Sequence, residues 1–185
     1  MKPTERLKEE HQGVKLMLRI LKKAAERMHG GTAVPHEHLG QMAEFFRVFV
    51  DRCHHAKEEE LLFPAMQEAR IPEVEGLIRA LREEHERGRG IAGSFADAVV
   101  RCGAGDHRAP AKIVAEARVY RDLLIAHIEK EDTVLYPMAD EKLSGETQKA
   151  LLDGFERIEE ERIGAGTHER FHGVLRHLHS VYLKG

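Results

Sequence analysis

Apolar residues recur along this chain at three- and four-residue intervals, and the two-residue alternation of a half-buried strand appears nowhere. Leu7, Val14, Leu18 and Leu21 mark one face of a first helix, and Phe45, Phe46, Phe49 and Val50 one face of a second. Val119, Leu123, Ile128 and Leu135 take similar spacing on a fourth. Gly and Pro interrupt the pattern at Gly30-Gly31, Ile71-Pro72, Gly103 to Gly105 with Pro110, and Leu143 to Gly145. Helices are therefore expected over about 4–29, 36–70, 73–102, 110–141 and 145–183. Loops this short make successive helices antiparallel. The expectation is an all-α protein, an up-down-up-down four-helix bundle over residues 1–142 with an additional C-terminal helix in 143–185 packed on it.

One motif occurs twice on these helices. His54-His-Ala-Lys-Glu58-Glu-Glu-Leu-Leu-Phe-Pro64 shares its frame with His127-Ile-Glu-Lys-Glu131-Asp-Thr-Val-Leu-Tyr-Pro137. His and Glu four residues apart point the same way from adjacent turns and can grip one metal site. Three such pairs exist, His55/Glu59 being the other, so the count alone carries little; the shared frame carries the weight. Both the His and the Pro are displaced by 73 residues, and Leu7-Lys-Glu-Glu-His11 matches Leu81-Arg-Glu-Glu-His85 at a displacement of 74. The chain reads as two related halves, each donating two His and one Glu.

Topology then brings the six together. His11 and His85 are early in helices one and three, while His54/Glu58 and His127/Glu131 are late in helices two and four, so in an antiparallel bundle all share one level. Pro64 and Pro137 are expected to bend or end their helices near it. His55, Glu59 and Asp132 are assigned to the outer side of the ligand face or to a supporting layer behind the ligands, because one residue turns a helix by about 100°. Met17, Met42 and Met66 read as core with the phenylalanines, and Tyr120 and Tyr136 as packing groups.

Composition narrows the chemistry. Thirteen His among 185 residues suit metal binding, and a net charge of −3 with interspersed signs argues against nucleic acid as a partner. Two cysteines, Cys53 and Cys102, have no zinc-like or redox spacing, and no apolar run would span a membrane, so a cytoplasmic protein is expected. Four imidazoles and two carboxylates fit a first-row transition metal better than calcium or magnesium. Two facing carboxylates in an apolar bundle repel unless cations lie between them, which favours a dinuclear site.

The pattern resembles the hemerythrin-like family, also called the HHE cation-binding domain, over about residues 4–141. The resemblance implies a four-helix bundle and two iron ions, oxo- or hydroxo-bridged, with His11, His54, Glu58, His85, His127 and Glu131 at the ligand positions. It implies a small ligand, O2, NO or peroxide, in oxidative or nitrosative stress or in iron handling. Oxygen carriers of the family add a His one turn beyond the third-helix ligand; Arg89 stands there, which speaks against simple oxygen transport. His168, in a His-rich tail with His172, His177 and His179, is a candidate extra ligand. Catalase-like, peroxidase-like or NO-related turnover, a non-enzymatic sensor or iron-delivery module acting through a protein partner, and a metal-free helical interaction protein all stay open, as does the oligomeric state. A ferritin-like carboxylate site fits less well, since the Glu-x-x-His pair it needs is absent from the repeated motifs and stands outside them, as at Glu169/His172.

Overall fold

The computed structural model describes residues 1–184. Helix α1 spans Pro3–His29. Helix α2 is a composite rod: regular from His36–Glu44, π-helical over Phe45–His55 and again over Glu58–Leu62, then regular through Phe63–Glu68. Helix α3 is Val74–Gly103. Helix α4 runs from Ala109–Lys130 through a π turn at Glu131–Leu135 to Tyr136–Lys142. Beyond it lie α5, Gly145–Ile158 with a π turn at Glu159–Ile163, and α6, Thr167–Tyr182. No strand occurs among the described residues, and none of their helices is long and apolar enough to cross a membrane.

Helices α1, α4, α3 and α2 pack in that order around the bundle. Its interior is two apolar clusters with a polar layer between them. On one side are Val14, Phe46, Phe49, Val50, Tyr120, Leu124 and Ile128 with their neighbours. On the other are Leu7, Leu62, Phe63, Leu81, Leu135 and Tyr136 with theirs. The helix repeat makes the layer: His11 lies between Leu7 and Val14, His54 between Val50 and Leu62, and Glu131 between Ile128 and Leu135.

The apolar face expected on α4 needs correction. Val119 is 43% exposed and Leu123 only half-buried; the buried stripe is Ile113, Ala117, Tyr120, Leu124, His127 and Ile128. A reading by hydrophobicity passes over His127 and Tyr120, whose burial fixes the true register.

The prolines do not end their helices. Pro64 and Pro137 sit in the first turn of regular helix that follows a π turn. Phe63 N–H bonds to the Glu58 carbonyl and Tyr136 N–H to the Glu131 carbonyl, both five residues back. The missing proline N–H removes a regular i→i−4 bond at the place where the ladder is already widened. Each π turn thus begins at the acidic residue of the repeated motif.

The C-terminal segment is two helices where one was expected over 145–183. Gly164 and Gly166 have φ of +80° and +79°, a backbone that residues with a Cβ avoid, and they turn the chain back on itself. Helix α6 then lies on α1 and on the π-helical stretch of α2 through Phe171, Leu175 and Leu178. Helix α5 closes the other cluster with Leu151 and Phe155.

Candidate metal centre

All six residues of the repeated pattern meet in the polar layer, each almost wholly buried. His11 Nε2 lies 3.0 Å from His54 Nε2, and His85 Nε2 lies 3.0 Å from His127 Nε2. Glu131 reaches both pairs, with oxygens 3.3 Å from His11 Nε2 and 3.0 Å from His127 Nε2. Glu58 does the same, 3.7 Å from His54 Nε2 and 3.4 Å from His85 Nε2. Donor atoms of His11, His54 and Glu131 form one group and those of Glu58, His85, His127 and Glu131 another, all within 4.8 Å inside each group.

The outer ring nitrogens decide what the inner ones can do. His11 Nδ1 donates to Asp132 at 2.7 Å, His54 Nδ1 to Glu10 at 2.8 Å, His85 Nδ1 to Glu59 at 2.7 Å and His127 Nδ1 to Glu84 at 2.8 Å. A proton held at Nδ1 leaves Nε2 of a neutral ring as a lone pair. Two lone pairs 3.0 Å apart repel unless a cation lies between them. Adjacent imidazoles on one first-row ion, with bonds of about 2.1 Å, have their nitrogens about 3 Å apart. Glu58 Oε2 and both oxygens of Glu131 are buried without a hydrogen bond, acceptors that cations would satisfy. The donor set therefore fits metal ions.

Charge tells the same story. Burial alone would lower the His11 and His85 pKa values, yet the surrounding carboxylates override it and raise them to about 9 and about 11. Burial disfavours an ionised Glu131, but His127, His11 and His85 hold its pKa well below the ordinary carboxylate value. With protein groups alone, protons take the place of the positive charge that the layer demands.

An outer tier supports the Nδ1 acceptors. Lys57, fully buried, pairs with Glu10 and Glu159, and Lys130 pairs with Glu84. Lys15 meets Asp132 at 2.7 Å and Arg89 meets Glu59 at 2.5 Å. Arg89 therefore does not enter the centre; its guanidinium is spent on Glu59 and on Asp51, 2.7 Å away.

The structure corrects three sequence assignments. His168 lies outside the donor groups of the centre: its Nε2 is 3.5 Å from Cys53 Sγ and 3.8 Å from Glu159. That neighbourhood already has its cation in the Lys57 ammonium, and burial pushes the Cys53 thiol up to about 12, so it stays protonated. Tyr136 is more than packing: its hydroxyl donates to Glu58 Oε1 at 2.7 Å. Glu59 and Asp132, by contrast, stand where they were expected, behind the ligand face, as acceptors for the His85 and His11 imidazoles. His55, expected on the outer side, is buried, and one of its ring nitrogens groups with those of His85 and His127. The i→i−5 bond from Ala56 N–H to the Asp51 carbonyl shows why: π turns shrink the angular step between neighbours, so His54 and His55 both face inward. The only hint in the sequence was the doubled His-His with a doubled Glu-Glu four residues on.

A comparison with known families decides the assignment, since the hemerythrin HHE cation-binding domain matches residues 2–139. The chain belongs to this family. Three curated proteins are similar to it along most of its length. The uncharacterised proteins Rv1995 and MT2051 of Mycobacterium tuberculosis and Mb2018 of Mycobacterium bovis are each 26% identical over 160 residues. Those matches cover 86% of this chain and 62% of each relative, so the chain spans less than two thirds of their length. No solved structure matches it.

Proposed function

We propose that this hemerythrin HHE domain holds two iron ions and binds a small ligand, O2, NO or peroxide, beside them, in the response to oxidative or nitrosative stress or in iron handling. The observation that carries the reading is the pair of buried carboxylates, Glu58 and Glu131, each within reach of both imidazole pairs and with three of their four oxygens free of hydrogen bonds. Residues His11 and His54 would hold one ion, His85 and His127 the other, with Glu58 and Glu131 shared. Iron there supplies one-electron chemistry and an electrophilic centre for a small anion or diatomic molecule.

The rest is the work of this chain's own groups. Asp132, Glu10, Glu59 and Glu84 fix the four imidazoles with Nε2 turned inward. Tyr136 holds Glu58 through one oxygen, leaving the other for an ion. Val14, Val50, Leu124 and Ile128 close a void of about 10 Å³ against His11, His54, His55 and His127. Room for about one water molecule favours a diatomic molecule or peroxide over any larger substrate. A cavity of about 650 Å³, lined by Phe46, Asp51, Arg89 and Tyr120, also touches His55.

Loading the anaerobic protein with ferrous iron tests the reading. Saturation at about two irons per chain, with an absorption spectrum that changes on adding O2, NO or peroxide, is expected. Saturation at about one, or a spectrum indifferent to all three, contradicts it. Steady consumption of peroxide by the same sample assigns turnover; release of iron to an acceptor protein without it assigns delivery.

A further inference from the structure

The internal repeat gives the two halves of the centre matching supports. Glu10 behind His54 matches Glu84 behind His127, and Lys57 behind Glu10 matches Lys130 behind Glu84, each pair 73 or 74 residues apart. Asp132 with Lys15 matches Glu59 with Arg89 in the same way. The two lysines nevertheless end differently. The Lys130 side chain is 40% exposed and, among the described residues, meets the carboxylate of Glu84 alone, so solvent shares its charge. Lys57 is wholly buried and has a second carboxylate, Glu159, 2.6 Å from Nζ. Nothing stands in the place of Glu159 behind Lys130, because Glu159 comes from the π turn that follows α5, beyond both repeats.

Glu159 is itself held from several sides. Arg6 Nη2 on α1 lies 2.9 Å from both its oxygens, and His168 Nε2 is 3.8 Å away. Phe155, one turn earlier on α5, places its ring 5.7 Å from Lys57 Nζ. Arg6, Glu159, Lys57 and Glu10 thus form a line of alternating charges that runs from the partly exposed Arg6 to the buried His54 ring. In surroundings this dry each charge sets the hold of the next. An ammonium shared by two carboxylates draws less on Glu10 than one that has Glu10 alone, and Glu10 then keeps more of its charge for the His54 N–H. A more strongly accepted N–H at Nδ1 makes Nε2 the better electron donor.

We infer that Glu159 is a positioning residue for the His11/His54 half of the centre, acting on His54 through Lys57 and Glu10, so that the C-terminal extension strengthens one metal position and leaves the other alone. The inference rests on the two-metal reading and deepens it.

Cobalt(II) titration of the metal-free full chain tests this apart from any activity. Each coordinated imidazole keeps one exchangeable N–H whose proton resonance the ion shifts far outside the ordinary range. The unsubstituted protein is expected to take up two cobalt ions and show four such resonances. Glu159→Gln keeps the shape of the side chain and removes its charge. It stands one step further from the metal than partners whose loss costs about 10- to 100-fold, so it should weaken one cobalt equivalent by about three- to tenfold and spare the other. The resonances it displaces should not be those that Glu84→Gln displaces. In a Lys57→Met background the line is cut, and Glu159→Gln should change neither equivalent. Leu151→Ala loosens the packing of α5 at a residue outside this line and should leave both affinities unchanged. Arg6→Gln releases Glu159 from the surface end and should act on the same equivalent as Glu159→Gln. Equivalents unchanged by Glu159→Gln or weakened alike, or a loss that Leu151→Ala reproduces or that persists without Lys57, overturns the inference and leaves the two-metal reading intact. Uptake of only one cobalt by the unsubstituted protein overturns that reading, and the inference with it. If Glu159→Gln does not fold, Arg6→Gln decides by the same readings.

Discussion

The six ligand-position residues can work only because ten or so others make them unable to do anything else. Glu10 shows how. Burial opposes its ionisation, but the His54 hydrogen bond and the Lys57 ammonium win, and its pKa falls from 4.5 to about 2. Glu59 is carried to about 2 against the same burial by His85 and Arg89; Glu84 reaches about 2 chiefly through the His127 hydrogen bond. A folded value below the unfolded one means that the stabilisation is complete above about pH 4.5. It is lost as pH falls from there toward about 2. For buried Glu10 the difference corresponds to about 3 kcal/mol. An acid titration followed by helical circular dichroism should therefore unfold the protein between those limits, and Glu10→Gln should remove much of that acid-dependent loss; a variant with the parent's acid dependence would contradict it. Glu84→Gln should also weaken metal binding by about 10- to 100-fold without unfolding the chain, since it frees the His127 ring to turn. Equal affinity in a metal titration would show that the Nδ1 partner is dispensable. At this scale the sequence was a good guide where a repeat existed: His11, His54, Glu58, His85, His127 and Glu131 all reached the layer. His55 was misplaced because a regular 100° step was applied to a widened turn, and Tyr136 because one hydroxyl on a core residue carries no pattern.

Among the helices, positions were legible and internal geometry was not. Gly and Pro marked the ends of α1 to α4 to within a few residues, since a break needs only local chemistry. The π stretches leave no signature in hydrophobic spacing, yet they set where Glu58, Glu131 and His55 point. The C-terminal break was not placed by the expected helix over 145–183, although Gly164 and Gly166 reverse the chain there so that α6 covers α1. Gly164 combines φ +80° with ψ 157°, a region essentially closed to other residues. Gly164→Ala should lower stability by about 1–3 kcal/mol, read as a drop in the urea midpoint with unchanged slope. No change would mean that the reversal does not depend on that conformation. Gly154 has a milder role, where an added Cβ would come within 2.8 Å of Leu61 Cδ1 and oblige that side chain to shift.

For the molecule as a whole, a polar layer sits between two apolar clusters at the level where a core should be driest. Two carboxylates there, fully buried and close to each other's partners, are a liability to the fold until positive charge arrives. Metal binding and folding are thus linked, and a ligand held at about 1,000 times its Kd adds about 4 kcal/mol to stability. Stripping the ions with a chelator should lower the melting temperature by several degrees at least, and restoring them should return it; a melting curve indifferent to chelation would leave a metal-free helical protein as the better description. The duplicated frame made this layer readable from the sequence, because two motifs 73 residues apart on antiparallel helices must meet. What covers the layer, and what lies outside it in relatives of greater length, had no repeat to reveal it. The central claim is that six donors from four helices enclose a pair of ions, and X-ray absorption at the iron edge tests it most directly. A first shell of nitrogen and oxygen with imidazole scattering and a second iron at about 3.5 Å is the expected result. A shell of the same atoms with no iron–iron scattering, from fully loaded protein, would contradict it.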